Sequence, residues 1–152
     1  IDIDLPGGIK LNVGENSTEA KLVAFLSDAS KMVDTAKGNW FDFTNVRFKT
    51  GSSTITDESM MQLKNMVAIA KAYPNARFKV GGYTDNTGDS TKNVMLSEKR
   101  AATVAAELVK MGAAKASVVS SAGYGPQFPI GDNATAEGRA QNRRVSVNVK
   151  AK

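Results

Sequence analysis

The chain has 152 residues, 41% of them hydrophobic, which suits one domain with a substantial core. Its 20 Lys and Arg exceed its 15 Asp and Glu, but the excess is scattered and lacks the basic runs of a nucleic-acid binder. Cysteine and histidine are both absent. That excludes disulfides, thiolate metal sites and a thiol nucleophile, and it removes the commonest general base and metal ligand, so neither catalysis nor a cofactor is expected.

The chain starts at Ile1 and holds no apolar run near 18 residues, so it reads as a processed or excised piece whose targeting signal lies upstream. Ile1, Ile3 and Leu5, then Ile9, Leu11 and Val13, alternate about Pro6-Gly7-Gly8 and predict two short strands joined by a turn. Ser17 or Thr18 can cap a helix with Glu19 in its first turn. Leu22, Phe25, Leu26, Ala29, Met32, Val33 and Ala36 continue its helical spacing as far as Gly38.

Residues 40–48 are aromatic and β-branched and predict a strand, followed by a Gly51-Ser52-Ser53 loop. Thr56, Asp57 and Glu58 open a second helix with a stripe of Met60, Leu63, Val67 and Ala70, closed by Pro74. Phe78, Val80 and Tyr83 form a strand running into Thr84-Asp85, and residues 86–90 turn about Gly88. A third helix is predicted over 91–111, a strand over 117–124, and a last strand through Val145, Val147 and Val149 after a polar stretch. This alternation predicts an α/β two-layer sandwich, with residues 1–39 as an extension packed on a domain of residues 40–152.

The candidate site lies where the Phe78–Tyr83 strand ends. Asp85 stands at its carboxyl end, a place where open α/β sheets collect ligands, and Arg100 follows fifteen positions on. On a helical wheel Val94, Ala101, Val104, Ala105 and Leu108 form the buried face of the third helix, with Asn93 and Arg100 on its shoulder and Leu96 on the same flank. Asp85 and Arg100 could pair with each other, or could offer one negative and one positive group to a ligand carrying both charges. Thr84, Asn93 and the Arg143-Arg144 pair favour a polar cleft, without naming what fills it.

The strings Gly82-Tyr83-Thr84-Asp85-Asn86-Thr87-Gly88, Asn93-x-x-Leu96-Ser97-x-x-Arg100-Ala101-x-x-Val104, Gly123-Tyr124-Gly125 and Asn142-Arg143-Arg144-Val145 give the ordered pattern of a known family. Over residues 40–150 the chain resembles the OmpA-like domain of porins, peptidoglycan-associated lipoproteins and flagellar stators. The resemblance implies a β-α-β-α-β-β fold with a mixed sheet. It also implies noncovalent peptidoglycan binding through the diaminopimelate of the stem peptide, in the periplasm, with an upstream segment tethering the parent protein to the outer membrane.

Carried over residue by residue, Asp85 receives the diaminopimelate ammonium and Arg100 its carboxylate. Asn93 and Leu96 line one wall, Arg143 lies near acidic groups of the peptide, Thr84 buttresses, and Thr50 and Gly51 give backbone contacts. Tyr83 stands where the family often has histidine, and Lys49 where it often has an acid. Other functions stay open: a protein-interaction module that takes a carboxylate, a stator-type anchor, or a wall hydrolase that uses Asp85 with Asp89 or Glu98 as paired carboxylates.

Overall fold

The computed structural model describes residues 1–152. The opening alternation folds as a hairpin, with β1 (Asp2–Asp4) antiparallel to β2 (Lys10–Asn12) and Ile3 opposite Leu11. Ser17 then caps α1 (Thr18–Ser27) by accepting a hydrogen bond from the Ala20 amide at 3.1 Å. Apolar spacing predicts this helix as far as Gly38, yet α1 stops at Ser27. The reason is local competition for backbone donors. Asp28 Oδ1 accepts from the Ser30 amide and hydroxyl, and Asp34 Oδ1 accepts from the Ala36 and Lys37 amides. Those turns leave Met32, a residue of the expected stripe, 79% exposed.

The strand predicted over 40–48 is likewise shorter, with β3 covering Trp40–Phe43. Beyond Phe43 the backbone bonds to side chains at the start of the next helix. The Asn45 amide donates to Gln62 Oε1 and the Arg47 amide to Ser59 Oγ, and Phe48 keeps only a single bridge to Ile55. A 3-10 turn, Asp57–Ser59, leads into α2 (Met60–Ala72). Then come β4 (Arg77–Tyr83), α3 (Ser90–Lys110) capped by Asp89, and β5 (Val118–Gly125). The polar stretch after β5 folds into a helix that the sequence reading left out, α4 (Ala136–Asn142), before β6 (Arg144–Ala151).

The sheet order is β3-β6-β4-β5, with β4 and β5 parallel and the other neighbours antiparallel, which is the mixed two-layer arrangement expected. Strand alternation assigns the two faces. Phe78 and Val80 of β4, with Val145, Val147 and Val149 of β6, are fully buried beneath the helices. They join Leu5, Leu11, Leu22, Leu63, Val104 and Leu108 in one apolar cluster that spans both the opening segment and the later elements. Glu19 adds a polar tie between α1 and α2, accepting from Gln62 Nε2 and Asn65 Nδ2 at 2.9 Å each.

Two glycines set how closely α3 approaches the sheet. A Cβ on Gly82 would lie 2.3 Å from the Ser97 carbonyl oxygen, and one on Gly123 would lie 2.3 Å from the Glu98 amide nitrogen. Bare backbone at these positions seats the first half of α3 directly on β4 and β5. It therefore fixes Arg100 relative to the loop that follows β4. Ala101, Val104 and Leu108 are buried as the wheel predicts, while Val94 and Ala105 are only partly covered. No helix is long and apolar enough to cross a membrane.

Candidate functional site

Thr84 closes β4 by donating its amide to the Gly125 carbonyl and its hydroxyl to the Asp85 carbonyl, both at 2.8 Å. This holds the Asp85 backbone at the sheet's end, where the residue is buried and its side chain 12% exposed. One carboxylate oxygen accepts from the Thr87 amide at 2.8 Å, and the other from Arg143 Nη1 at 2.6 Å. Burial alone would raise the Asp85 pKa. The Thr87 and Arg143 hydrogen bonds and the Arg143 charge outweigh it and hold the group below its ordinary value. Asp85 is thus a carboxylate at neutral pH.

Arg100 is anchored differently. Its Nε donates to the Ser52 carbonyl at 2.9 Å, and its guanidinium carbon lies 4.9 Å from the centre of the Phe48 ring. The loop after β3 therefore orients the guanidinium, and its two Nη groups keep their donors free. Burial, followed by the nearby charge of Arg143, pulls the Arg100 pKa down from its usual value. Asp85 and Arg100 are not paired with each other. The partner of Asp85 is Arg143, delivered from the C-terminal end of α4.

Arg100 and Arg143 meet at a cleft of about 500 Å³ lined also by Arg47 and Arg144, with Thr50 and Gly51 on its loop side and Tyr83 from the strand, whereas Asp85 adjoins it only through Arg143. Arg144 is steadied by Asp42, whose Oδ1 accepts from its Nε at 3.1 Å, and its guanidinium lies 3.9 Å above the Tyr83 ring. Four guanidinium groups at one opening, of which Arg143 and Arg144 are paired with the Asp85 and Asp42 carboxylates, make a site for a ligand rich in carboxylates. Asp85 adds an acceptor for a cationic group, and the neighbouring Arg143 would have to yield it.

Of the other expected site residues, Thr84, Asp85, Asn93 and Leu96 do not line the cleft. Asn93 Nδ2 instead donates to the Thr87 carbonyl at 2.9 Å, tying the turn after Asp85 to α3. Arg47 and Tyr83 were not expected as wall residues, whereas Arg144 was expected only as one of the arginine pair favouring a polar cleft. The sequence did contain a signal for α4, the helix that delivers Arg143. Thr135 caps it by accepting from the Gly138 amide, with Glu137 in its first turn. Asn142, buried at the end of α4, accepts from the Ile130 and Gly131 amides and donates to the Gly131 carbonyl and Asn133 Oδ1. That knot fixes the loop before α4 and aims Arg143.

Comparison with known proteins identifies the family. The sequence profile described as the OmpA family matches residues 47–143. YiaD, a probable lipoprotein of Escherichia coli K12, is 41% identical over 105 residues, covering 69% of this chain and 48% of that protein. The peptidoglycan-binding protein ArfA of Mycobacterium tuberculosis is 49% identical over 79 residues, covering 52% of this chain and 24% of that one. The chain thus spans half or less of the length of the curated relatives it matches. The cell wall anchor of the T6SS from Pseudomonas aeruginosa superposes with a TM-score of 0.63 at 28% identity, covering 86% of this chain and 97% of that one. On the profile match and the shared fold, this chain belongs to the OmpA family.

Proposed function

We propose that the chain is a non-catalytic domain that binds peptidoglycan through the diaminopimelate of the stem peptide and so anchors a membrane-tethered parent protein to the cell wall of the bacterial envelope. The observation that carries this reading is the cleft itself. Arg100 of α3 and Arg143 at the end of α4 face one opening, and the Asp85 carboxylate, outside the lining, is paired with Arg143 at 2.6 Å. In the bound state the Arg100 Nη groups take the ligand carboxylate as a directional pair, and the ammonium replaces Arg143 on Asp85. Arg143 is then free to meet a second carboxylate of the peptide. Thr50 and Gly51 supply the loop-side backbone. Thr84 and Asn93 act from behind by holding the strand end and the turn.

Hydrogen bonds to charged groups contribute about 1.5–3 kcal/mol each. A lysine-type stem peptide lacks the carboxylate that Arg100 would receive, so it leaves a desolvated guanidinium unpaired and is rejected. Modest affinity at one site suffices, because the wall repeats its ligand and a tethered parent gains effective concentration. The printed names of the relatives support binding and anchoring: ArfA is a peptidoglycan-binding protein, and the Pseudomonas aeruginosa structure is a cell wall anchor. A protein module that takes a carboxylate is the second reading, favoured only by the excess of arginine.

Retention on purified sacculi tests the proposal. Wild type should be retained, whereas Asp85→Ala and Arg100→Ala should pass through with unchanged circular dichroism. Retention of both variants at wild-type levels would sink the diaminopimelate reading. Failure of free diaminopimelate to compete would favour the protein module.

A further inference from the structure

We infer a second subsite on the sheet face opposite the helices, a groove for an N-acetylated pyranose of the glycan strand, floored by Trp40, Tyr124 and Phe128. It rests on the peptidoglycan reading above and extends it from the stem peptide to the sugar. The strand alternation that buries Phe78 and Val80 under the helices turns Lys79, Gly81 and Tyr83 of β4 to this face, along with Trp40 and Asp42 of β3. Gly81 lets the rings lie against the backbone: a Cβ there would come within 2.9 Å of the Trp40 ring and 3.1 Å of the Tyr124 ring.

Tyr124 stacks on Tyr83 with centroids 5.2 Å apart and planes inclined by 25°. Trp40 and Phe128 both stand nearly perpendicular to Tyr124, at 86° and 78°, with centroids 5.7 and 6.0 Å away. Trp40 is 37% exposed and Phe128 is 63% exposed. Phe128 is also the single non-glycine residue with positive φ, at 60°, and its carbonyl accepts from Arg144 Nη2 at 3.0 Å. A strained backbone pinned so as to hold an aromatic ring in solvent has no role in the core. Such strain gathers where a surface is shaped for contact.

The groove has a volume of about 630 Å³, and its polar groups converge on the rings. Asp42 uses Oδ1 for Arg144 and for the Ser146 hydroxyl and leaves Oδ2 without a protein partner, while Lys37 stands at the rim. Aromatic faces for the C–H face of a sugar ring, an open carboxylate oxygen for its hydroxyls, and Ile130 and Pro129 for an acetyl methyl together match a pyranose. A peptide or lipid would not need that combination.

Continuity chooses the occupant. Tyr83 and Arg144 line both this groove and the arginine cleft, so the two adjoin along one wall. In peptidoglycan the diaminopimelate is separated from its sugar by two residues and a short linker, a reach of about 10 Å when extended. One polymer can therefore fill both sites. Trp40, Asp42 and Lys37 lie outside residues 47–143, the stretch matched by the family profile. The subsite is thus built in part from residues that the profile does not cover, with Tyr124 and Phe128 inside the matched stretch.

The test uses the β-1,4-linked tetramer of N-acetylglucosamine, a neutral glycan without stem peptide, titrated into the full chain. Trp40 is the sole tryptophan, so its emission reports on the groove directly. We expect a saturable change in Trp40 emission that is insensitive to salt, unchanged in Asp85→Ala, and weakened at least about tenfold in Phe128→Gly. Phe128→Gly removes the ring while suiting the positive φ, and Trp40→Ala followed by amide NMR provides a second variant. No saturable change up to about 10 mM glycan overturns the subsite. So does binding that both ring variants leave intact. Wild type that binds the tetramer at Trp40, with Asp85→Ala and Arg100→Ala retained on sacculi at wild-type levels, would instead fault the stem-peptide reading and leave the sugar groove standing.

Discussion

Gly81 and Gly82 are neighbours on β4, yet they face opposite sides of the sheet and meet different kinds of matter. Gly82 abuts α3 backbone at Ser97, whereas Gly81 lies beneath the side-chain rings of Trp40 and Tyr124. A ring can rotate away from an added methyl. A helix backbone cannot move without carrying its other residues, and Arg100 is one of them. The helix-covered face thus supplies rigidity and sets the spacing of the charged cleft, while the open face supplies an adaptable surface.

Substitution at these glycines tests that contrast most strongly. Gly82→Ala should cost stability at the upper end of the roughly 1–3 kcal/mol typical of overpacking, lowering Tm by several degrees and weakening sacculus retention through displaced Arg100. Gly81→Ala should melt closer to wild type and keep its retention by the charged cleft. Equal melting temperatures for the two variants would dissolve the distinction.

The opening segment sharpens the comparison from a distance. Glu19→Ala leaves the Gln62 and Asn65 amides without their shared acceptor and should destabilise the fold by about 1–3 kcal/mol in denaturant titration. Retention per folded molecule should not change, because none of these side chains lines the cleft. Ser17→Ala removes the cap of α1 and should cost about 1 kcal/mol in the same measurement.

The smallest effect concerns pH and is fixed by its sign. The folded pKa of Asp85 lies below its unfolded value. Its stabilising share is therefore present above the unfolded aspartate value of about 3.9 and is lost as pH falls through the lower folded value. Asp85→Asn should remove that part of the acid limb of a stability-against-pH curve. An unchanged limb would mean that Arg143 and Thr87 do not hold the carboxylate as described.

Much of the architecture was legible because its signals are local. Alternating valines in β6, the apolar stripes of α2 and α3, and the glycine turn of the hairpin each encode an element within a few residues. The end of α1 was not legible by apolar spacing, because Asp28 and Asp34 win the backbone donors that the stripe would have used. At the site, Asp85 and Arg100 were readable from motif spacing, and Arg143 from its place before β6. The Asp85–Arg143 pair was not, since it joins residues brought together only by α4 and the Asn142 knot. The aromatic groove was also out of reach. Trp40, Tyr83, Tyr124 and Phe128 come from separate segments, and only the strand pairing brings them side by side.

Titration of meso-diaminopimelate and L-lysine, side by side against the wild-type chain and followed by amide NMR, tests the zwitterion clasp most directly. We expect diaminopimelate to saturate with shifts at Asp85, Thr87 and Arg100, and lysine to bind at least about tenfold more weakly. Equal binding of the two, or shifts confined to residues away from that cleft, would contradict the clasp.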